Sequence, residues 1–183
     1  MSLVVQSLLT PHPDTWVSRF APLVYTGGIV LDLACGNGRH TKLFLESEHP
    51  VVALDRSLAA MDGLRKRKGF ELIEADIENG PWPLAGRMFD AIVVVNYLYR
   101  PLLPVLAQSL NPGGVLIYRT FAVGNEKYGK PSNPAFLLKP NELIDAFRDL
   151  EVVAFESGDT GTAVVQRICA VRRVSEEPLP LPV

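Results

Sequence analysis

Three carboxylates and two glycines in the first hundred residues are the part of this sequence that could do chemistry. Asp32 follows an apolar run, Ile29-Val30-Leu31, and precedes Gly36 and Gly38. The chain then passes through Arg39, His40 and Thr41 into a helical pattern, Lys42-Leu43-Phe44-Leu45. Glycines lack Cβ atoms, so Gly36 and Gly38 let the backbone turn sharply and let a ligand approach. The free N–H groups that begin the following helix suit an anionic group. Asp55 ends a second apolar run, Val51-Val52-Ala53-Leu54, and an acid about twenty residues past a glycine turn takes ribose hydroxyls in nucleoside-binding folds. Asp76 ends a third run, Phe70–Ile77. A dinucleotide fingerprint, G-x-G-x-x-G, fails because Thr41 stands at its third glycine position. The phosphate-cradling G-x-x-x-x-G-K-[ST] is absent.

These residues need a scaffold, and the periodicity supplies one. Strand, glycine turn and helix make the first half of a βαβ unit, so the chain reads as α/β. Further strands are predicted at Phe89–Tyr97, Val115–Phe121, Leu150–Glu156 and Ala163–Val171. The last two are joined as a hairpin by Gly158-Asp159-Thr160-Gly161. Helices are predicted near 13–20, 38–47, 57–68, 101–110 and 140–147. Asp14 or Thr15 caps the first, which presents Trp16, Val17 and Phe20 on one face. Ser57 caps the third, with Leu58, Met61 and Leu64 inward. Asn111-Pro112-Gly113-Gly114 ends the fourth ahead of the fifth strand.

The chain has 183 residues, about half of them apolar (48%), and a net charge of −2. That length suits one domain, 1–183. Near-neutral charge argues against a nucleic-acid surface, and the basic run Arg65-Lys66-Arg67-Lys68 reads as a solvated helix end. Cys35 and Cys169 give neither a disulfide framework nor zinc spacing, so no metal is expected. Reduced thiols, no secretory leader and no apolar run long enough for a bilayer point to the cytoplasm.

The segment Asp32–Gly38 resembles motif I of the class I S-adenosylmethionine (SAM) dependent methyltransferases, with Ala34 at the first glycine position. The acids at Asp55 and Asp76 and the polar opening Asn96-Tyr97 after the fourth strand sit where that family's later motifs do. Downstream, Asn96–Leu102, Gly124-Asn125-Glu126 and Asn133–Leu138 resemble small bacterial methyltransferases of the tellurite-resistance (TehB-like) type.

The resemblance implies a Rossmann-like, doubly wound, seven-stranded and mostly parallel sheet. Its order would be 3-2-1-4-5-7-6, with an antiparallel C-terminal strand. It implies SAM as cofactor and S-adenosylhomocysteine as product. The implied cofactor set is Asp32, Ala34, Cys35, Gly36, Asn37, Gly38, Asp55, Arg56, Asp76, Ile77, Asn96 and Tyr97. Within it, Asp32 orders the glycine loop, Asp55 takes the ribose, and Asp76 with the Ile77 backbone reads adenine. Asn96 and Tyr97 lie near the transferable methyl. The N-terminal segment 1–26 would cover the cleft, placing Trp16, Arg19 or His12 near it. Core packing is the preferred reading of Trp16 and a plain loop position that of His12, while Arg19 also reads as an exposed helix residue.

The segment 122–139 is long and rich in Gly, Pro and Asn, as substrate loops are. Its polar candidates are Asn125, Glu126, Tyr128, Lys130 and Asn133. No base stands out, and His40 reads as the first turn of a helix. The acceptor is therefore expected to be a small molecule needing no strong base, such as a thiol or a metalloid oxyanion. Tyr97, Tyr99, Arg100, Arg119 and Tyr128 are the candidates to hold it, the two arginines first because guanidinium forks suit oxyanions. Trp82 is a further candidate at the adenine edge. The alternatives are a non-catalytic SAM-binding module and a domain that acts only with a partner, on protein or RNA. Absence of Asn-Pro-Pro-Tyr at Asn96 argues against methylation of nucleic-acid amines. The Pro-rich tail 176–183 would pack on the body or on a second copy, as in a homodimer.

Overall fold

The computed structural model describes residues 12–57 and 61–174, apart from the Asp62 side chain. Alternation along the strands decides the architecture. In β1 (Val30–Leu33) the whole strand is buried, but its side chains serve two different cores. Leu31 and Leu33 join one cluster and Val30 the other. The same split recurs in β2 (Val51–Asp55), β4 (Phe89–Val95) and β5 (Leu110–Phe121). Strands buried on both faces belong to a parallel sheet with helices on each side.

β3 (Phe70–Glu74) pairs with β2, β2 with β1, β1 with β4 and β4 with β5, all parallel. β7 (Val164–Val171) runs antiparallel between β5 and β6 (Glu151–Asp159). The order is β3-β2-β1-β4-β5-β7-β6, as the resemblance implied.

One face carries α1 (Thr15–Phe20) and α2 (Arg39–Glu46). The Asp14 side chain caps α1 by accepting from the Trp16 N–H at 2.9 Å. Trp16 is core, not a cleft residue: it is buried and its indole N–H donates to the Ile168 carbonyl at 3.2 Å. The other face carries α3 (Leu103–Gln108) and α4 (Glu142–Ala146), which contribute Leu103, Leu106 and Leu143.

Two local expectations are corrected. The region predicted as a helix over 57–68 holds, among its described residues, a short 3-10 turn at Asp62–Leu64 followed by further turns. Gly63 and four consecutive cations oppose helix there, and only Met61 is fully buried among them. The Ser57 N–H donates to Asp55 Oδ1 (3.1 Å), and Leu58, with the rest of the turn that Ser57 would cap, lies outside the described residues. Second, Asn111–Gly114 does not precede the fifth strand but bulges within it. Phe89 pairs with Leu110 and Ala91 with Val115, so the residues between are extruded. The tail 176–183 also lies outside the described residues.

Candidate functional site

Strand order reverses about β1, whose neighbours β2 and β4 lead to opposite halves of the sheet. Side chains at the carboxyl ends of these strands therefore converge on one crevice. Two adjoining cavities occupy it. One, of about 420 Å³, is lined by Ala34, Gly36, Asp55, Asp76 and Ile77 among others. The second, of about 550 Å³, is lined by Leu98, Thr120, Phe121 and the loop residues Lys130–Asn133 and Phe136. Arg56, Glu78, Asn96 and Tyr97 line both.

The glycine loop owes its shape to Asp55 more than to Asp32. Asp55 Oδ2 accepts the Gly36 N–H at 2.9 Å while Oδ1 accepts from Ser57. Asp32 is buried and reaches the next helix, where Thr41 Oγ1 donates to its Oδ2 at 2.6 Å. Ala34 takes a left-handed φ of 53°, the turn a glycine would make at lower cost. Cys35 is buried, its N–H donating to Leu54 O (3.2 Å), and burial pushes its thiol pKa far up, so it is no nucleophile. Asn37 Oδ1 accepts weakly from the Arg39 N–H at 3.4 Å.

Burial raises the Asp32 pKa to about 6, against the opposing pull of the Thr41 hydroxyl. The folded protein therefore holds this proton more tightly than the unfolded chain. Its contribution to stability is full below the unfolded value and is lost as pH rises through about 6. Asp32→Asn lacks this dependence. Its stability relative to wild type should rise between pH 4 and pH 7 by about 2 to 3 kcal/mol. Urea unfolding at the two pH values measures this, and a constant difference would contradict it.

At the next strand end, Asp76 Oδ1 accepts from the Glu78 and Asn79 N–H groups (3.1 and 3.2 Å) and Oδ2 from the Asn79 amide (2.9 Å). The Asn79 amide holds the Asp76 pKa below the usual carboxylate value. An ionised acceptor thus sits beside Ile77 on the cavity wall. After β4, Asn96 adopts a left-handed φ of 59° and its Oδ1 accepts from the Arg119 guanidinium. The Tyr97 carbonyl is pinned by the Tyr118 hydroxyl at 2.9 Å. The Tyr97 hydroxyl is buried and meets no partner in hydrogen-bonding geometry among the described residues. Burial, then the nearby Glu78 carboxylate, push its pKa well up and keep it protonated.

Of the candidate contacts outside the cofactor set, Lys130 and Asn133 line the second cavity, as does Tyr97 from within that set. The others are engaged elsewhere. The Arg100 guanidinium pairs with Glu142 (2.6 and 3.0 Å) and donates to the carbonyls of Ala135 (2.6 Å) and Leu137 (2.8 Å). It clamps the loop instead of facing the cavity. Arg119 is nearly buried, on Asn96 and with its Nε 3.7 Å from Asp14. Tyr99 donates to the Glu78 carbonyl at 3.3 Å. Tyr128 donates to Asp159 Oδ1 at 2.7 Å, at the end of β6. Asn125 is buried, bonding Pro131 O (3.1 Å) and the Val164 N–H (3.1 Å), and Glu126 turns back on the Gly124 N–H at 2.8 Å. Trp82 packs against the core cluster.

Arg19 pairs with Glu156 on β6 (3.6 Å) and lies over the Phe20 ring. His40 Nε2 accepts the Asp14 N–H at 3.1 Å, and burial pulls its pKa down to about 4. It joins α1 to α2 as a neutral ring. His12 is exposed. The residues that sequence reasoning missed are Glu78, Thr120, Phe121 and Phe136. Glu78 comes two positions after a strand-end acid and Thr120 and Phe121 end β5, whereas Phe136 depends on how the 122–139 loop folds back.

Among the described residues no helix is long and apolar enough to cross a membrane, and no acid, histidine or cysteine cluster could hold a metal.

Residues 30–114 match the methyltransferase domain family. The chain is 31% identical over 126 residues to the cypemycin N-terminal methyltransferase of a Streptomyces species, covering 61% of this chain and 49% of that protein. It thus spans about half the length of that relative. By structure it is similar to TehB from Haemophilus influenzae (TM-score 0.68, 18% identity, covering 86% of this chain and 61% of that one). It is also similar to a Burkholderia thailandensis 1,6-didemethyltoxoflavin-N1-methyltransferase solved with 1,6-didemethyltoxoflavin and S-adenosylhomocysteine bound (TM-score 0.67, 18% identity, covering 93% of this chain and 81% of that one).

Proposed function

We propose that this chain, whose residues 30–114 match a methyltransferase domain family and whose sheet has the strand order of the class I fold, transfers a methyl group from SAM to a small molecule. The observation that carries the reading is the pair of cavities sharing Arg56, Glu78, Asn96 and Tyr97. Methyl transfer needs two ligands meeting end to end, and this crevice has two compartments that meet.

The smaller cavity fits SAM by the chemistry of its donor and acceptor set. Asp55 retains lone pairs for ribose hydroxyls after serving Gly36 and Ser57. Ionised Asp76 accepts from the adenine amino group, with the Ile77 backbone beside it. A Cβ built at Gly36 would meet nothing within 4 Å, so the loop leaves open space along the ligand's path. SAM supplies a methyl already activated by positive sulfur. The protein's task is to align the two ligands and exclude water. Asn96 and Tyr97 stand at the junction, held by Arg119 and Tyr118. The 122–139 loop walls the second cavity as the substrate loop, which at about 550 Å³ admits a small molecule.

Isothermal titration with SAM and with S-adenosylhomocysteine tests the cofactor assignment. Both should bind at one site per chain with micromolar affinity, roughly −8 kcal/mol. Folded protein, free of copurified nucleoside, that binds neither would sink the reading.

A further inference from the structure

Phe136 is an exposed aromatic residue on a backbone held from both sides. It keeps 44% of its surface open, joins none of the core clusters among the described residues, and lines the second cavity but not the smaller one. Its neighbours are fixed. The Arg100 guanidinium donates to the carbonyls of Ala135 (2.6 Å) and Leu137 (2.8 Å), the residues on either side of it. Asn133 Oδ1 accepts the Ala135 N–H (3.0 Å), and the Phe136 N–H donates to the Asn133 carbonyl (2.9 Å). The Leu137 side chain is buried. Resting on the methyltransferase reading, we propose that Phe136 is a specificity-determining contact for the acceptor, and that the acceptor is a small molecule with an aromatic body.

The charges of this cavity do not choose the acceptor. Arg56 and Lys130 line it as well as Glu78, so both signs are present. Hydrocarbon is what the wall has in common. Tyr97, Leu98, Phe121, Pro131 and Phe136 all contribute to it, three of them aromatic. An aromatic body sheds water against such a wall and gains ring contacts beyond the area it buries. A metalloid oxyanion would meet only the charged part of the lining. It would fill a small part of about 550 Å³ and leave the apolar wall wet.

The clamp on either side of Phe136 gives it the means to discriminate. Ordering a loop or a side chain on binding costs affinity, and a residue whose backbone is already fixed has less to lose. The Arg100 guanidinium is itself held by Glu142, whose Oε2 also accepts the Lys139 N–H at 2.7 Å. Arg100 is thus a positioning residue that acts through Phe136.

The test uses 2-naphthol, whose fluorescence reports an apolar environment, titrated into protein saturated with S-adenosylhomocysteine. It should bind at one site per chain, and Phe136→Ala should weaken it about tenfold with S-adenosylhomocysteine affinity unchanged. Phe136→Trp should retain binding. Val123→Ala removes an exposed apolar side chain of the same loop that lies outside the cavity wall, and should change nothing. Arg100→Met should weaken 2-naphthol in the wild-type background and add no further loss once residue 136 is alanine, as expected of two residues acting as one unit. Selenite, titrated by calorimetry into the same complex, should bind more weakly than 2-naphthol. Failure of 2-naphthol to bind, equal binding by wild type and Phe136→Ala, or tighter binding of selenite would each overturn the inference. Failure of S-adenosylhomocysteine itself to bind would count against the methyltransferase reading instead.

Discussion

Asp55→Ala should raise the dissociation constant for SAM about 100-fold, which is about 2.7 kcal/mol, while the sheet stays folded. The size reflects the two things this carboxylate does. It accepts the Gly36 N–H at 2.9 Å and the Ser57 N–H at 3.1 Å, so it shapes the loop the ligand lies against. On the proposed cofactor reading, its remaining lone pairs take the ribose hydroxyls. Hydrogen bonds to a charged group contribute about 1.5 to 3 kcal/mol each, and the variant forfeits those to the ligand while loosening the loop. Asp55→Asn keeps one carbonyl oxygen and should recover about half of the loss in free energy. Titration calorimetry beside circular dichroism separates affinity from folding. Unchanged affinity in Asp55→Ala would remove this residue from the cofactor site.

Gly38→Ala should destabilise the folded protein by about 3 to 4 kcal/mol. Gly38 takes a φ of +71° at the start of α2, a conformation costing an L-residue about 1 to 2 kcal/mol. A Cβ there would also collide with the Met61 side chain, its Cε only 2.8 Å away and fully buried. Met61 can shift, but into a packed neighbourhood with Cys35 and Ala53, and overpacking adds about 1 to 3 kcal/mol. Gly36→Ala separates the two causes, because its φ is also positive (+56°) while its Cβ would meet nothing. It should lose only the conformational part, roughly 1 to 2 kcal/mol. Equal losses in the two variants by urea denaturation would show that the Met61 contact carries no cost.

What was legible in the sequence was what hydrophobic periodicity and short-range spacing encode. The strands at Val51 and Phe89 read as apolar runs because both their faces are buried, and the acids at Asp55 and Asp76 had to fall on one edge of the sheet. The sheet order came with the resemblance. The arginines did not read correctly from position alone. Arg100 lies just past β4, where a substrate contact would be expected, yet its fork is taken by Glu142, 42 residues away, and by two loop carbonyls. Such pairings depend on how the 122–139 segment folds back, which no local period records. Asp32 and Asp55 shared the loop-ordering assignment unevenly for a similar reason: the Gly36 N–H finds its partner 19 residues away, across a strand pairing. Glu78 was hidden because its neighbour Asp76 occupied the motif position.

The reversal of strand order about β1 has a consequence for change over time. Apart from four shared residues, the wall of one compartment comes mainly from the ends of β1, β2 and β3 and their loops, and that of the other from segments beyond β4 and at the end of β5. The second wall is fastened to the body by a few discrete anchors, chiefly Arg100 on Glu142 and Asn125 on the Val164 N–H. Substitutions between those anchors can redraw one compartment without disturbing the other. Under the proposed function such a scaffold is modular: one guest could be exchanged while the other is kept, and the segment to graft lies between Phe121 and Lys139.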